Sequence, residues 1–323
     1  MENGKDFGEG QTVWVRGPEE ILNTLDVDGK LDGLPFMAEM MRYCGRSSRI
    51  SCVPPMACVE GVGFRGLEDI VFREDLRCDG SSHDGCQRGC LLFWKKAWLD
   101  DKAPANSTEH DDASVDRAAA RLKTKKGERY FCQSTELAAA TSEYHPEKLS
   151  TPAKFRQFLN EVRCGEMSVL EFTRRMLNAV LSRIKDKLGV ETGNTVRGHV
   201  QKTETLTLDL KPGHGVQVKD RKEIEETLDV EGKNRGLLFD PPMLDHCGKQ
   251  YRVAGRLEKI ILEETGRMIS LKNTVVLDGV ICRAWGCPRA NLHYWREIWL
   301  KRIDPPAELL LSGDLTQQTL VKR

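Results

Sequence analysis

Between Arg77 and Leu99 the chain reads RCDGSSHDGCQRGCLLFWKKAWL, which gathers Cys78, His83, Cys86 and Cys90 within thirteen positions. Thiolate and imidazole are the soft donors that hold zinc or iron. The spacings are short, and Gly80, Gly85 and Gly89 permit the tight turns that let such side chains converge on one centre. Cys44, in the upstream YCG turn, is a candidate remote ligand. Four thiolates, or three with His83, satisfy a tetrahedral structural Zn²⁺ site. An iron–sulfur cluster also takes four thiolates, but the spacing fits neither common ferredoxin pattern. Zinc is therefore the expected cofactor and iron the alternative, with free cysteines in a tight loop as the plain option.

A second set, Cys247, Cys282 and Cys287, occupies corresponding places later in the chain, with Asn291 where Cys90 has its counterpart. His246 or His293 can supply a fourth ligand, or the position stays open as in a catalytic zinc site. Cys132 and Glu136, in YFCQSTELA, are four apart and on a helix share one face. Thiolate and carboxylate in that relation are candidates for a nucleophile–base pair or for metal ligation; an ordinary strand-to-helix transition capped by Ser134 or Thr135 is the alternative. Cys52, Cys58 and Cys164 read as small buried apolar residues, although Cys58 can join a first-module site. His145 and His214 read as loop and turn residues.

What positions these groups is a duplication. VWVRGPEEILNTLDVDGKLDGLPFMAEMMRYCG (13–45) aligns without a gap to VQVKDRKEIEETLDVEGKNRGLLFDPPMLDHCG (216–248), with about half the positions identical. Both copies end alike, in FWKKAWL (93–99) and YWREIWL (294–300). QTVWVRG and GVQVKD alternate apolar and polar residues as half-buried strands do, and EEILNTLD and KEIEETLD carry helical spacing. RISCV, DIVF, QYRVAGRLEKIILEE and NTVVLDGVI return to strand. Short strands with one brief helix predict an α+β protein of two duplicated, strongly bent SH3-like β-barrel modules, an α+β sandwich being the other option. The expected layout is a Cys-rich barrel module with its metal site over 8–100, a polar linker over 101–128, a helical hairpin domain over 129–192, the second barrel module over 193–304 and a tail over 305–323. The hairpin rests on STPAKFRQFLNEVRCG and SVLEFTRRMLNAVLSRIKDKLG, with Ser168 as an N-cap and Val169, Phe172, Met176, Val180 and Ile184 as an apolar stripe.

Composition bounds the partners. Lys+Arg and Asp+Glu both number 49, so no global field draws the chain to nucleic acid or an acidic membrane. RLKTKKGER is the notable basic run, so a protein partner is expected ahead of nucleic acid. No apolar run of about eighteen residues predicts a membrane span. The polar N-terminus MENGKDFGEG reads as lacking a secretory signal, so a cytoplasmic location is expected. In a reducing compartment, clustered members among the eleven cysteines favour metal binding or catalysis over disulfides.

The motifs LDVDGKLDGLPFMAEMMRYCG, LRCDGSSHDGCQRGCLLFWKKAWL, YFCQSTEL and GRLEKIILEETGRMISLKNTVVLDGVICRAWGCPR, followed by NLHYWREIWL, resemble a family of uncharacterised bacterial proteins often encoded in polysaccharide or natural-product gene clusters. The resemblance covers most of the chain. It implies that Cys44, Cys78, His83, Cys86, Cys90, Cys132, Glu136, Cys247, Cys282 and Cys287 are the matching positions, and it carries no activity. A shorter likeness of the strands points to KOW domains and the nitrile hydratase β subunit. Two functions are expected on these grounds: a zinc-stabilised interaction or accessory protein of a biosynthetic pathway, or a metalloenzyme using iron or an open zinc site.

Overall fold

The strand that opens each repeat lies second from the edge of a five-stranded antiparallel sheet. The computed structural model describes residues 6–74, 76–103, 112–145, 150, 173, 196–282 and 288–303. In spatial order the first sheet runs Trp94–Lys95, Ile70–Arg73, Ser47–Cys52, Thr12–Val15, Leu99–Asp100; the second runs Trp295–Arg296, Thr274–Leu277, Gln250–Arg256, Gly215–Val218, Leu300–Ile303. The two orders correspond strand for strand. Alternation sets the inner face, so that Val13, Val15, Val216 and Val218 are buried. Register shifts between Ile50 and Cys52 and between Val253 and Gly255 bend the long second strand of each sheet.

The expected α+β class, with closed SH3-like barrels around a central helical hairpin, is corrected. The described residues are predominantly β, in small antiparallel sheets, and neither five-stranded sheet closes. The reason lies in the edge strands. Trp94–Lys95 and Leu99–Asp100 are two residues long, and the 3₁₀ turn Lys96–Trp98 between them sends them to opposite edges. Where the helical hairpin was expected, Arg129–Tyr130 pairs with Lys125–Lys126, and Ser142–Glu143 adds to the edge of Gly63–Gly66. A four-residue helix, Gln133–Glu136, lies between them. The rest of that expected hairpin, with its apolar stripe, lies outside the described residues.

Each core is built on the same aromatic triad. Phe36 meets Trp98 edge to face at 5.0 Å and Trp94 at 6.0 Å; Phe239 meets Trp299 at 5.2 Å and Trp295 at 6.1 Å. Such pairs add about 0.5–1.5 kcal/mol beyond burial. The inner indole of each module donates to a threonine hydroxyl, Trp98 Nε1 to Thr24 and Trp299 Nε1 to Thr227, both at 3.1 Å. The threonine and aspartate of the Thr-Leu-Asp-Val shared by the two repeats are thereby explained. The threonine receives the indole, and the aspartate closes the next turn by accepting backbone N–H groups, Asp26 from Lys30 and Asp229 from Lys233.

Two compact units emerge. Unit 1 comprises Met1–Ser168, Lys259–Ile269 and Arg283–Asn291; unit 2 comprises Val169–Glu258, Ser270–Cys282 and Leu292–Arg323. Unit 1 thus includes two pieces of the second repeat. It also includes the helix Asp112–Ala119, in the stretch expected as a polar linker, with Ala118 and then Leu122 in the core. Among the described residues no helix is long and apolar enough to cross a membrane.

Candidate metal centre

Cys78 and Cys90 face each other across a short antiparallel ladder. Arg77 bridges Leu91, Cys78 N donates to Cys90 O at 2.8 Å, and Leu92 N donates to Leu76 O at 2.9 Å. The loop between them turns on Gly80, whose carbonyl accepts from both His83 N and Gly85 N at 2.9 Å. Gly80 has φ +71°, and a Cβ there would run into the backbone of Cys86. Glycine is required at this point because the loop packs its own two arms into contact.

The loop's donors share one cavity with a donor from elsewhere, though of the five only Cys78 and His83 belong to a group of three close donors, completed by Glu39. Cys78, His83, Cys86, Cys90 and Cys132 line a single cavity of about 30 Å³. Cys132 is brought there by its neighbour. The buried Gln133 amide accepts from Phe93 N at 2.9 Å and donates to Phe93 O at 2.8 Å and Pro35 O at 3.0 Å, which pins the start of the short helix beside the loop. Backbone N–H groups hydrogen-bond the sulfurs: Gly80 to Cys78, Arg88 and Ile261 to Cys86, Ser134 and Thr135 to Cys132. The Ile261 N to Cys86 Sγ distance is 3.3 Å. Burial pushes the thiols of Cys78 and Cys86 above their ordinary 9.0 and that of Cys132 up to about 12. For Cys78 the neighbouring Glu39 and Cys90 add to the rise, whereas the amides work in the other direction. A divalent cation reverses that balance, because thiolates are its ligands and their protons are displaced as it binds.

Glu39 stands beside this group. Its side chain is wholly buried, with Oε1 3.0 Å from Cys78 Sγ and 3.8 Å from His83 Nδ1, while Oε2 accepts from Ser82 Oγ. Glu39, Cys78 and His83 present ligand atoms within 4.8 Å of one another. His83 Nε2 lies 3.0 Å from Phe131 O. A carbonyl only accepts, so Nε2 carries the proton and Nδ1 is the nitrogen turned to Glu39.

On the cavity's other side is a buried ion network. Arg289 grips Glu263 with two bonds of 2.9 Å, Arg88 adds one of 3.1 Å and Ser134 Oγ one of 3.0 Å. Arg88 also reaches the half-exposed Glu60 at 2.9 Å. Burial by itself lowers the pKa of Arg289, but the Glu263 carboxylate outweighs it, and Cys90 adds to the rise. None of Glu39, Gln133, Glu263 and Arg289 stood out in the sequence. The one signal was a set of charged residues inside otherwise apolar strands, such as Glu263 after KIIL.

Other expected residues lie elsewhere. Cys44 ends the 3₁₀ helix Ala38–Tyr43 and is fixed in the sheet by its bridge to Val15, with Sγ against Met41 Sδ at 3.9 Å; burial pushes its thiol up to about 12. It does not line the cavity. Glu136 shares the short helix with Cys132, but its carboxylate pairs with Lys30 at 2.7 Å and Arg129 at 3.5 Å, so the two do not form a nucleophile–base pair. Cys52 is buried in the core as expected, and it is disulfide-bonded. Cys58 contributes its carbonyl to Arg289 at 2.7 Å. In unit 2, Cys247 ends the 3₁₀ helix Pro241–His246, Cys282 follows the Ile281–Leu292 bridge, and Cys287 lies outside the described residues. His246 Nδ1 meets Tyr251 Oη at 2.6 Å, and its ring is 6.3 Å from that of buried His293. Among the described residues these side chains form no second group of three close donors. Compared with protein-family models, with curated proteins and with solved structures, the chain finds no match in any of the three.

Proposed function

We propose that unit 1 is a zinc-binding unit whose ion is structural, and that the protein is an interaction or accessory protein built on this metal-stabilised scaffold. The observation that carries the reading is the cavity lined by Cys78, His83, Cys86, Cys90 and Cys132. At about 30 Å³ it has room for an ion and not for an organic substrate, which needs some 300 Å³ or more. Its walls are short loops that a bound ion would hold together. A protein partner fits the balanced charge of the chain. It also fits Val27 and Val230, which occupy the same turn of the two repeats and are 94% and 66% exposed.

A metalloenzyme is the second reading, and one observation favours it. Glu39, Cys78 and His83 form a mixed oxygen, sulfur and nitrogen donor set of the kind that leaves a coordination position open. Elemental analysis of protein purified without added metal tests both. The structural reading expects a colourless protein with about one zinc per chain, and loss of both zinc and melting temperature in Cys86→Ser. Absorption in the visible, with iron in place of zinc, would transfer the assignment to the metalloenzyme. Protein without any metal would end both.

A further inference from the structure

Resting on the reading of unit 1 as a zinc-binding unit, we infer that the ion is seated on Glu39 Oε1, Cys78 Sγ and His83 Nδ1, with the buried carboxylate as its anionic anchor. Cys78 and His83 line the cavity and Glu39 does not, so the remaining coordination position is turned to the cavity. The structural and the catalytic reading then differ in what fills that position, a sulfur of the cavity wall or a water molecule.

A count of protons carries this. The Glu39 side chain is wholly buried, and among the described residues the one basic group within reach of its carboxylate is His83, with Nδ1 3.8 Å from Oε1. That separation is too long for a hydrogen bond. The His83 Nε2 proton is already given to Phe131 O at 3.0 Å, which leaves Nδ1 with its lone pair. Three acceptor atoms, Oε1, Oε2 and Nδ1, therefore share two protons. Cys78 Sγ donates to Oε1 at 3.0 Å, and the single hydroxyl proton of Ser82 serves either Oε2 or Nδ1, the latter at 3.3 Å. A carboxylate kept from water without a cation is costly. One divalent ion removes the shortfall. A sulfur–metal bond replaces the Cys78 S–H bond, the proton leaves to solvent, and Oε1 and Nδ1 give their lone pairs to the ion; the three atoms already lie within 4.8 Å of one another. Two anionic ligands, a neutral imidazole and a 2+ ion sum to zero charge, which suits a buried site. The outer contacts match as well. A metal-bound imidazole gives its other N–H to an acceptor and a metal-bound carboxylate is itself hydrogen-bonded, as His83 is to Phe131 and Glu39 to Ser82. The second repeat offers a contrast: Pro242, with no side-chain donor atom, stands at the position of Glu39, and no close donor group forms there among the described residues.

Zinc titrated into the metal-free, full-length protein in competition with a chromophoric chelator tests this. Glu39→Gln keeps the volume and an acceptor oxygen but loses the charge, and is expected to bind zinc more than about 100-fold more weakly than wild type. Ser82→Ala removes an outer contact alone and is expected to lose about 10–100-fold. Zinc is expected to raise the melting temperature of the wild type and of Cys44→Ser, and not that of Glu39→Gln. If the metal-free wild type is itself unfolded, Glu39→His carries the test, since imidazole also ligates zinc. Zinc is then expected to fold Glu39→His and not Glu39→Gln, and equal failure of the two overturns the assignment. A Glu39→Gln protein that binds zinc as well as Ser82→Ala does overturns it too, as does one that fails to fold where the metal-free wild type folds. Those outcomes leave the zinc reading of unit 1 standing. A wild-type protein that takes up no zinc refutes that reading itself.

Discussion

Replacing Glu263 by glutamine removes one charge and almost no volume from the middle of unit 1. Glu263 and Arg289 are each 2% exposed in their side chains, and their two bonds are both 2.9 Å. After the substitution Arg289, and with it Arg88, loses its buried carboxylate, and an uncompensated buried charge costs about 3–5 kcal/mol. For a unit of this size that lowers the melting temperature by about 6–20 °C. Hydrogen exchange at the Val13 and Val15 amides, in the core strand of the first sheet, reads the loss for unit 1 alone. The paired replacement Glu263→Leu with Arg289→Met is expected to cost less than either single change, because it removes both desolvated charges together. The acid side gives an independent check. Burial by itself raises the pKa of Glu263, yet the charges and hydrogen bonds of Arg289 and Arg88 hold it below its ordinary 4.5. With the folded value the lower, its contribution is fully present above about pH 4.5 and is lost as the pH falls through the folded value. A Glu263→Gln protein within about 1 kcal/mol of wild type, or a double variant as unstable as the sum of the singles, would refute the argument.

Thr24→Val leaves the Trp98 indole N–H buried without its acceptor and is expected to cost about 1–3 kcal/mol in urea unfolding; Thr227→Val should cost unit 2 a similar amount through Trp299. Gly80→Ala, forced into a left-handed conformation against the Cys86 backbone, is expected to lower zinc content measured by elemental analysis, whereas Gly8→Ala, whose Cβ meets nothing within 4 Å and whose backbone is not left-handed, should not. His293 has its pKa lowered to about 4, by burial first and His246 second. Its neutral form is favoured by folding, so its contribution to unit 2 is complete above about pH 6.5 and fades towards pH 4, a loss of about 3 kcal/mol. NMR titration showing His293 protonated at pH 6 in the folded protein would contradict that.

The repeat was legible because identical residues do identical work in both copies. Thr24 and Thr227 receive an indole, and Asp26 and Asp229 close a turn. Strand order follows from such a register, but barrel closure does not. In the first sheet closure depends on two-residue edge strands whose pairing is decided by the 3₁₀ turn between them. The convergence of Cys78, His83, Cys86 and Cys90 on one cavity was readable as loop spacing, since a short loop brings its own members together. Cys132 was visible as a candidate for metal ligation or nucleophilic chemistry, but its place on the cavity wall was not, because the element that carries it there is the amide of Gln133, anchored to Phe93 and Pro35 far away in sequence. Cys44 misled for the opposite reason. It is near the loop in the repeat, yet the sheet claims it through Val15. Glu39 could not be seen at all, since a single carboxylate in AEMMRY has no local pattern to mark it.

The interrupted course of unit 1 also has a consequence for how the chain is made. Its last pieces, Lys259–Ile269 and Arg283–Asn291, emerge long after Cys132. At about 5–20 residues per second, the ribosome delays Arg289 by on the order of ten seconds after the last sulfur of the cavity has appeared. During that interval the Cys86 sulfur lacks the Ile261 amide, and Ser134 lacks Glu263 and Arg289. The nascent thiols are thus available to cellular zinc carriers, or to oxidants, before the arginine network shuts beside them. If unit 1 holds the structural zinc proposed for it, loading would be an event of synthesis, competing against the clock of translation, and a chain starved of zinc during those seconds would close around an empty centre.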